Sequence, residues 1–194
     1  MTCIVGVQTD DGRVIIGGDS AGVAGLDIHI RKDEKVFQNG PTIMGFTSSF
    51  RMGQLLRYAL NIPDHDPRTP DMQYMVIEMM DAVRECFRER GYLKKDEDAD
   101  SGGTFIMGYK GQLYIIDTDF QVGKVYENYT ACGCGDSYAL GVLHDISKHD
   151  PLCDPIEKVT RALDAATFHS GGVSKPYTIL TLESDGEVSE LTVK

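Results

Sequence analysis

The first twenty residues predict a β-hairpin that brings two polar residues together. β-Branched residues dominate positions 4–7 and 14–16, and the Asp11-Gly12 pair between them is typical of a tight hairpin turn. Nearly equal arms place Thr2, at the start of the first strand, beside Asp19, at the end of the second. The hairpin therefore constrains both the local fold and the surroundings of the chain terminus.

Thr2 gains a second functional group if Met1 is removed. A terminal threonine carries a hydroxyl nucleophile and a free α-amine that can act as its base. Many chains begin Met-Thr, because small second residues are common, so this position by itself does not indicate catalysis. The hypothesis of a catalytic Thr2 depends on residues further along the chain.

Composition restricts the class of protein. The chain has 194 residues, 41% of them hydrophobic and 25% charged, which is ordinary for one soluble domain spanning 1–194. It has neither a long apolar run nor a basic-then-apolar leader, so we expect a cytoplasmic protein without a membrane partner. Five scattered cysteines, an odd number, favour reduced thiols over a disulfide framework. The net charge of −11 disfavours nucleic acid as a partner.

The order of the elements predicts an α+β fold. Strands precede two helices, further strands follow, and two more helices precede the last two strands. Residues 26–30 alternate apolar and polar as a half-buried strand does, and residues 94–103 are typical of a charged surface loop. Antiparallel strands interrupted by paired helices indicate two packed sheets with helices on both outer faces, a four-layer αββα sandwich.

Capping signals and apolar periodicity predict the helices. We expect Ser48 or Ser49 to cap a helix over 50–60, Pro70 to take the first position of the longest helix, and Asp136 and Asp154 to cap the last two. Apolar side chains recur along the longest helix at three- and four-residue spacing, so we expect one face to lie in the core. They are Met72, Met75, Val76, Met79, Met80, Val83 and Phe87.

Five short motifs occur together in an order that resembles a known family. They are Thr2-Cys3-Ile4-Val5, Gly17-Gly18-Asp19, Lys35-Val36, Gly133-Cys134-Gly135 and Ser170-Gly171-Gly172. Together they resemble the N-terminal-nucleophile (Ntn) hydrolases, and within them the proteasome β-subunit and bacterial HslV peptidase family. The resemblance covers nearly the whole chain and implies the Ntn-hydrolase fold.

The resemblance implies a role for each catalytic residue. Thr2 is the nucleophile, and its amine, with an ordinary pKa of about 8, is the base. Lys35 stabilises the developing alkoxide and helps to keep the amine neutral, while Asp19 pairs with Lys35 and orients it. Ser170 and Cys134 are neighbours of the amine.

The same resemblance implies an oxyanion donor and a substrate pocket. Acyl transfer needs a hydrogen-bond donor where the tetrahedral oxyanion forms, and the backbone N–H of Ser48 is the candidate. Met44 and the segment from Ala21 to Ala24 are expected to line the pocket. A zinc site is not expected, because Cys132, Cys134 and His144 lack a second cysteine pair, and no cofactor is implied.

Three positions depart from the family pattern. Ser48 stands where the family usually has glycine, and Cys134 stands where a serine helps to hold the terminal amine. A thiol forms weaker hydrogen bonds than a hydroxyl. Thr167 occupies the position of a supporting aspartate, with Asp164 one turn away.

Three functions remain open on these observations. The first is a self-compartmentalised threonine endopeptidase: a homo-oligomeric six- or seven-fold ring, stacked in pairs, that cleaves unfolded polypeptides, with an ATPase unfoldase as a candidate partner. The second is a weak or inactive ring subunit that serves as a scaffold, in view of Cys134 and Thr167. The third is an amidase that acts on small amides.

Overall fold

The computed structural model describes residues 1–96 and 99–194. Within them the strands are β1 (Cys3–Gln8), β2 (Val14–Gly18), β3 (Ala21–Ala24), β4 (Asp27–Ile30), β5 (Val36–Asn39), β6 (Thr42–Phe46), β7 (Lys94–Asp96), β8 (Ala99–Ser101), β9 (Phe105–Tyr109), β10 (Gln112–Ile116), β11 (Val122–Lys124), β12 (Tyr129–Gly133), β13 (Tyr177–Leu182) and β14 (Val188–Val193). The helices are α1 (Phe50–Tyr58), α2 (Asp71–Tyr74), α3 (Met80–Glu89), α4 (Asp136–His149) and α5 (Pro155–His169), with a π-helical segment, Met75–Met79, joining α2 to α3.

Two five-stranded antiparallel sheets carry most of the strands. The first has the order β12-β1-β2-β13-β14 and the second the order β11-β10-β9-β6-β5, while β3-β4 and β7-β8 form two separate hairpins. The predicted α+β class is confirmed. The fold also has the predicted order of strands and helices, since each predicted pair of helices lies between two groups of strands.

The register of the first sheet gathers the chain terminus and two glycine-rich strand ends. In β1, Ile4 lies opposite Gly18 of β2, and Cys3 lies opposite Gly133 of β12. The Asp11-Gly12 turn closes the β1–β2 hairpin, with Gly12 at a φ of +85°, a conformation that glycine adopts without steric cost. The residues before β1 and after β2 and β12 therefore meet where these three strands end, on one side of the sheet.

Three clusters of buried side chains form the core. One draws its residues from both five-stranded sheets and includes Ile4, Ile16, Ile43, Ile106 and Leu180. A second joins the first sheet to α4 and α5, and a third joins the second sheet to α1, the π-helical segment and α3. Each sheet therefore packs apolar side chains against the other sheet and against its own helices, which fixes the strand ends around the terminus.

Two expectations about loops and strands are wrong. Residues 27–30 form β4, but all four are exposed, since among the described residues this strand pairs with β3 alone and no further sheet or helix covers its apolar face. The stretch predicted as a surface loop over 94–103 contains the β7–β8 hairpin, in which Lys94 pairs with Ser101. The charged residues of this stretch favoured a loop and gave no indication of the pairing. Residues 97–98 lie outside the described part of the chain.

The helix starts also differ from the capping signals. Pro70 is the N-cap residue and Asp71 the first helical residue, while Gly135, not Asp136, is the N-cap of α4 and makes no side-chain cap bond. Ser49 and Asp154 do cap α1 and α5 with side-chain hydrogen bonds, as predicted. An N-cap side chain helps only when the chain enters the helix at the right angle, and tertiary contacts set that angle.

The longest helical stretch buries most of its predicted apolar face. Met75, Met79, Met80, Val83 and Phe87 are buried, whereas Met72 is 38% and Val76 43% exposed. A π-helical turn bonds i to i+5 and so rotates the residues before it relative to those after it. The seven-residue pattern assumed one uninterrupted α-helix and therefore placed Met72 and Val76 wrongly. Among the described residues, no helix has the length and apolar character required to cross a bilayer.

Candidate active site

The site is built around a buried ion pair. The Lys35 ammonium donates to Asp19 Oδ1 at 2.8 Å, and both side chains have no exposed surface. Asp19 follows β2, and Lys35 directly precedes β5, so the two five-stranded sheets each contribute one partner. Such a pair is favourable only when further hydrogen bonds satisfy both charges.

Three backbone N–H groups complete the coordination of the Asp19 carboxylate. Cys3 N donates to Oδ1 at 3.0 Å, while Ala21 N at 2.9 Å and Ser174 N at 3.3 Å donate to Oδ2. The carboxylate therefore accepts four hydrogen bonds from four separate segments. This arrangement fixes Asp19 and, through it, the position of Lys35.

Burial sets the electrostatics of Lys35. Desolvation lowers the pKa of this ammonium below its ordinary value, while the charge and hydrogen bond of Asp19 act in the opposite direction. Within the described part of the chain, Lys35 Nζ makes one other polar contact, to the carbonyl oxygen of Met1 at 3.4 Å. Lys35 thus connects the buried carboxylate to the peptide bond that precedes Thr2.

Thr2 lies at this connection and is 5% exposed. Its hydroxyl donates to the Met1 carbonyl oxygen at 2.5 Å, and its N–H donates to Cys134 Sγ at 3.3 Å. With Met1 in place, the nitrogen of Thr2 is a peptide nitrogen and is not basic. Removal of Met1 would convert it to an amine that keeps Cys134 as its neighbour.

Cys134 and Ser170 form the second side of the site. Cys134 Sγ lies 3.4 Å from Ser170 Oγ, and Gly172 N donates to Ser170 Oγ at 3.4 Å. Gly172 has no side chain for steric reasons, because a Cβ there would lie 2.4 Å from Met1 Cβ and 2.8 Å from Cys134 Sγ. The late Ser-Gly-Gly motif therefore packs directly against the chain terminus.

A cavity opens beside Thr2 at the end of β6. It has a volume of about 120 Å³ and is lined by Met1, Thr2, Val23, Phe46, Thr47, Ser48, Ser49 and Phe50. Ser49 N donates to Thr47 O, whereas Ser48 N has no hydrogen-bond partner among the described residues. Thr2 and Ser48, whose backbone N–H is free among the described residues, therefore line the same cavity.

Ser48 adopts a conformation that is unusual for serine. Its φ is +68°, in the left-handed region, where a non-glycine residue costs about 1–3 kcal/mol. The position is one at which the resemblance implied glycine, and glycine would adopt this φ without strain. The exchange to serine is therefore compatible with the backbone geometry, at an energetic cost.

Two of the residues expected to bind substrate do not line this cavity. Met44 is fully buried in the cluster that joins the second sheet to its helices, and Ala21 is also fully buried, with its N–H on Asp19. Val23, which belongs to the expected segment 21–24, and Phe50 line the cavity instead, and sequence reasoning missed Phe50.

The hydrogen bonds of Thr167 and Asp164 go to residues other than Thr2. Thr167 Oγ1 is 2.7 Å from the Tyr177 hydroxyl, which also donates to Asp164 Oδ1 at 3.0 Å. Lys175 pairs with the same Asp164 oxygen at 3.2 Å. Asp164 is thus engaged by Tyr177 and Lys175 and does not replace the missing aspartate beside Ser170.

Comparison with known proteins shows similarity of fold but not of sequence. No family model and no curated protein matches the chain. Among solved structures, Thiobacillus denitrificans BPH in complex with epoxomicin has a TM-score of 0.78 at 19% identity, covering 94% of this chain and 98% of BPH. An Anbu (Gly-1) mutant from Hyphomicrobium sp. strain MC1 has a TM-score of 0.70 at 16% identity, covering 100% of this chain and 88% of Anbu.

These structures correct the family assignment made from the motifs. The assignment to the proteasome β-subunit and HslV peptidase family is wrong, because the structural neighbours are BPH and Anbu, which are distinct from HslV. The five motifs are short and lie at strand ends around a single site. Such motifs report the geometry of that site, and they carry too few residues to separate one branch of related proteins from another.

Proposed function

We propose that the chain is a hydrolase of amide bonds that uses Thr2, after removal of Met1, as a threonine-type nucleophile. The observation that carries this proposal is the meeting of Thr2 with the buried Lys35–Asp19 pair, both acting at the peptide bond before Thr2. Burial of an ammonium carries a desolvation cost, and charged groups perturbed by burial cluster at functional sites.

The proposed mechanism assigns one task to each group. The freed amine of Thr2 takes the proton of Thr2 Oγ1 as the oxygen attacks the substrate carbonyl, and it then gives that proton to the leaving amine. Lys35 stabilises negative charge on Oγ1, and Asp19 holds Lys35 in place. Water hydrolyses the resulting ester and regenerates the terminal threonine.

The free N–H of Ser48 is the proposed oxyanion donor, because Ser48 and Thr2 line the same cavity. Cys134 and Ser170 are proposed to hold the amine of Thr2. Cys134 Sγ lies 3.3 Å from Thr2 N and 3.4 Å from Ser170 Oγ. Sulfur contacts of this kind are weak, so this part of the mechanism is the least rigid.

The proposal extends to the domain, the arrangement of its layers and the assembly of the protein. We propose one domain, 1–194, with an Ntn-type four-layer arrangement, a proposal supported by the three clusters that link each sheet to the other and to its own helices. We further propose that the protein is a cytoplasmic endopeptidase that assembles into a homo-oligomeric ring and cleaves unfolded polypeptides. An ATPase unfoldase is its candidate partner.

The test is the intact mass of the protein before and after incubation with epoxomicin, the compound bound in the Thiobacillus BPH structure. We expect loss of Met1 and a single adduct, and no adduct on a Thr2→Ala variant. Loss of Met1 without an adduct on the unchanged protein would contradict the proposal. If Met1 is retained, the measurement is repeated after treatment with methionine aminopeptidase.

A scaffold role is the second candidate, and Cys134 and Thr167 favour it. Cys134 offers the amine only a sulfur contact, and Thr167 bonds Tyr177 in place of the site. This function predicts a stable ring that forms no epoxomicin adduct even when Thr2 is the first residue.

A further inference from the structure

The Ser48 side chain has a role that the proposed mechanism does not use. Ser48 Oγ accepts a hydrogen bond from the backbone N–H of Thr104 at 3.2 Å, and Thr104 O accepts from Thr47 N at 3.1 Å. The loop between β6 and α1 is therefore joined twice to the residue that precedes β9. One of these two links depends on the Ser48 hydroxyl.

The link coincides with the strained position. Ser48 holds a φ of +68°, and its side chain is exposed, so no packing of the side chain enforces this conformation. Among the described residues, the one hydrogen bond made by an atom of Ser48 is the bond on its hydroxyl, while the Ser49 N–H donates to Thr47 O at 2.8 Å and closes a three-residue turn around Ser48. The turn and the hydroxyl bond together hold the strained backbone, and the hydroxyl bond ties the turn to Thr104.

Gly103 makes the link sterically possible. A Cβ at Gly103 would lie 2.9 Å from Ser48 Cβ, 3.1 Å from Ser48 Oγ and 2.7 Å from Met52 Sδ. The close approach of the two loops thus requires glycine at 103 as well as a hydroxyl at 48. These two residues act together on one backbone geometry.

We infer that the Ser48 hydroxyl is a latch that holds the Ser48 N–H in its place beside Thr2, so that Ser48 and Gly103 are positioning residues for the oxyanion donor. This inference rests on the proposed function. A donor for a developing oxyanion is effective when it is oriented before the reaction, because no reorganisation is then required. Where glycine would tolerate the left-handed backbone, this chain holds serine there by a bond.

The test compares Ser48→Ala, Ser48→Gly and Gly103→Ala, with Ser184→Ala, a change in an exposed turn, as the control. Alanine keeps the Cβ strain and loses the latch, so kcat on a peptide amide should fall about ten-fold while KM changes less than about two-fold. Glycine loses the latch but also the strain, and should recover at least about a third of the lost rate. Gly103→Ala should resemble Ser48→Ala.

The unfolding temperature of each variant separates positioning from stability. We expect Ser48→Ala to unfold within about 2 °C of the unchanged protein, since the side chain is exposed. A kcat for Ser48→Ala within two-fold of the unchanged protein would overturn the inference. So would a Ser48→Gly variant that is no faster than Ser48→Ala, because the hydroxyl would then act on the chemistry and not on the backbone.

A second readout needs no activity and keeps the inference separate from the proposed function. Hydrogen exchange of the Thr104 amide, followed by NMR, should be at least about ten times faster in Ser48→Ala than in the unchanged protein. Equal exchange rates would overturn the latch even in an active enzyme. If the unchanged protein forms no epoxomicin adduct, the proposed function is overturned. If the Thr104 amide nevertheless exchanges faster in Ser48→Ala, the latch is still established.

Discussion

The two sides of the candidate site differ in burial and in the strength of their bonds. On one side, Asp19 and Lys35 have no exposed surface, and Asp19 accepts four hydrogen bonds of 2.8–3.3 Å. On the other side, Cys134 is exposed and makes only sulfur contacts, of 3.3 Å to Thr2 N and 3.4 Å to Ser170 Oγ. The side with Asp19 and Lys35 is fixed by the fold. The side with Cys134 is held more weakly and tolerates substitution.

The difference explains where the chain departs from the resemblance. Replacing Asp19 or Lys35 would leave a buried charge without its partner, which is among the more destructive changes available to a core. Replacing serine by Cys134 at an exposed position costs little, because water is available to the groups that lose a bond. Of the three departures, Cys134 lies on the exposed side, and none lies at the buried pair.

The largest predicted effect is loss of the buried pair. Asp19→Ala leaves the Lys35 ammonium buried with a single carbonyl at 3.4 Å, and should lower the free energy of unfolding by about 3–5 kcal/mol. Lys35→Met should cost less, because Asp19 keeps its three N–H donors. Urea unfolding at pH 7 measures both, with Asp33→Ala, in the partly exposed Arg31–Asp33 pair, as the control.

The order of these two variants is the decisive result. A Lys35→Met variant as unstable as Asp19→Ala would mean that the N–H donors do not hold the carboxylate, and the contrast between the two sides would disappear. The Asp33→Ala control should change stability far less than either, since exposed ion pairs contribute little.

The pH dependence of stability should come from the buried side. Burial raises the pKa of Cys3 and Cys132 above the ordinary value for a thiol, and the charge of Asp19 contributes at Cys3. The unfolded chain therefore loses these protons first, so stability is intact below about pH 9 and falls above it, by up to about 1.4 kcal/mol per pH unit for each thiol.

Unfolding free energies at pH 8, 9 and 10 measure this loss. Cys132→Ala should show a shallower decline above pH 9 than the unchanged protein, whatever its stability at pH 8, because one of the three buried thiols whose pKa is raised is then absent. Equal slopes for the two proteins would show that the buried thiols do not control alkaline stability. A Cys153→Ala variant, at a partly exposed thiol, is the matched control.

The exposed side should react where the buried side does not. In the native protein iodoacetamide should modify Cys134 and Cys153, whereas Cys3, Cys86 and Cys132 should react only after unfolding. If the proposed function is right, alkylated Cys134 crowds the Thr2 nitrogen and slows epoxomicin labelling at least about ten-fold.

Two variants assign that effect. Cys134→Ser should be labelled by epoxomicin before and after treatment with iodoacetamide, and Cys153→Ser should lose labelling as the unchanged protein does. Slow labelling of treated Cys134→Ser would place the sensitive group elsewhere.

The smallest predicted effect concerns Thr167, which lies outside both sides. Thr167→Val removes the 2.7 Å contact with the Tyr177 hydroxyl and should cost about 1 kcal/mol of stability without changing the rate of labelling. Thr160→Val, which loses only a bond to the carbonyl one turn earlier, is the control on the same helix. A change in labelling rate with Thr167→Val would connect this helix to the reaction.

Much of the fold followed from local patterns. The β1–β2 hairpin, the cap at Asp154 and the final β13–β14 hairpin depend on turn chemistry and alternation within a few residues, and each was predicted correctly. The exposure of β4 and the pairing of β7 with β8 were not predicted, because burial depends on which distant element covers a strand. The π-helical turn also escaped prediction, since a periodic pattern contains no sign of one added residue.

The candidate site divides in the same way. The sequence by itself determined that Thr2 and Asp19 lie close together, because a hairpin with equal arms requires it, and it supplied Lys35, Cys134 and Ser170 as residue types suited to the chemistry. Only the tertiary structure decided that Lys35 is fully buried against Asp19, that Met44 lies in the core, and that the Ser48 hydroxyl bonds the Thr104 N–H. Each of these depends on residues far apart in the chain, and their contact is fixed by how the sheets and helices pack.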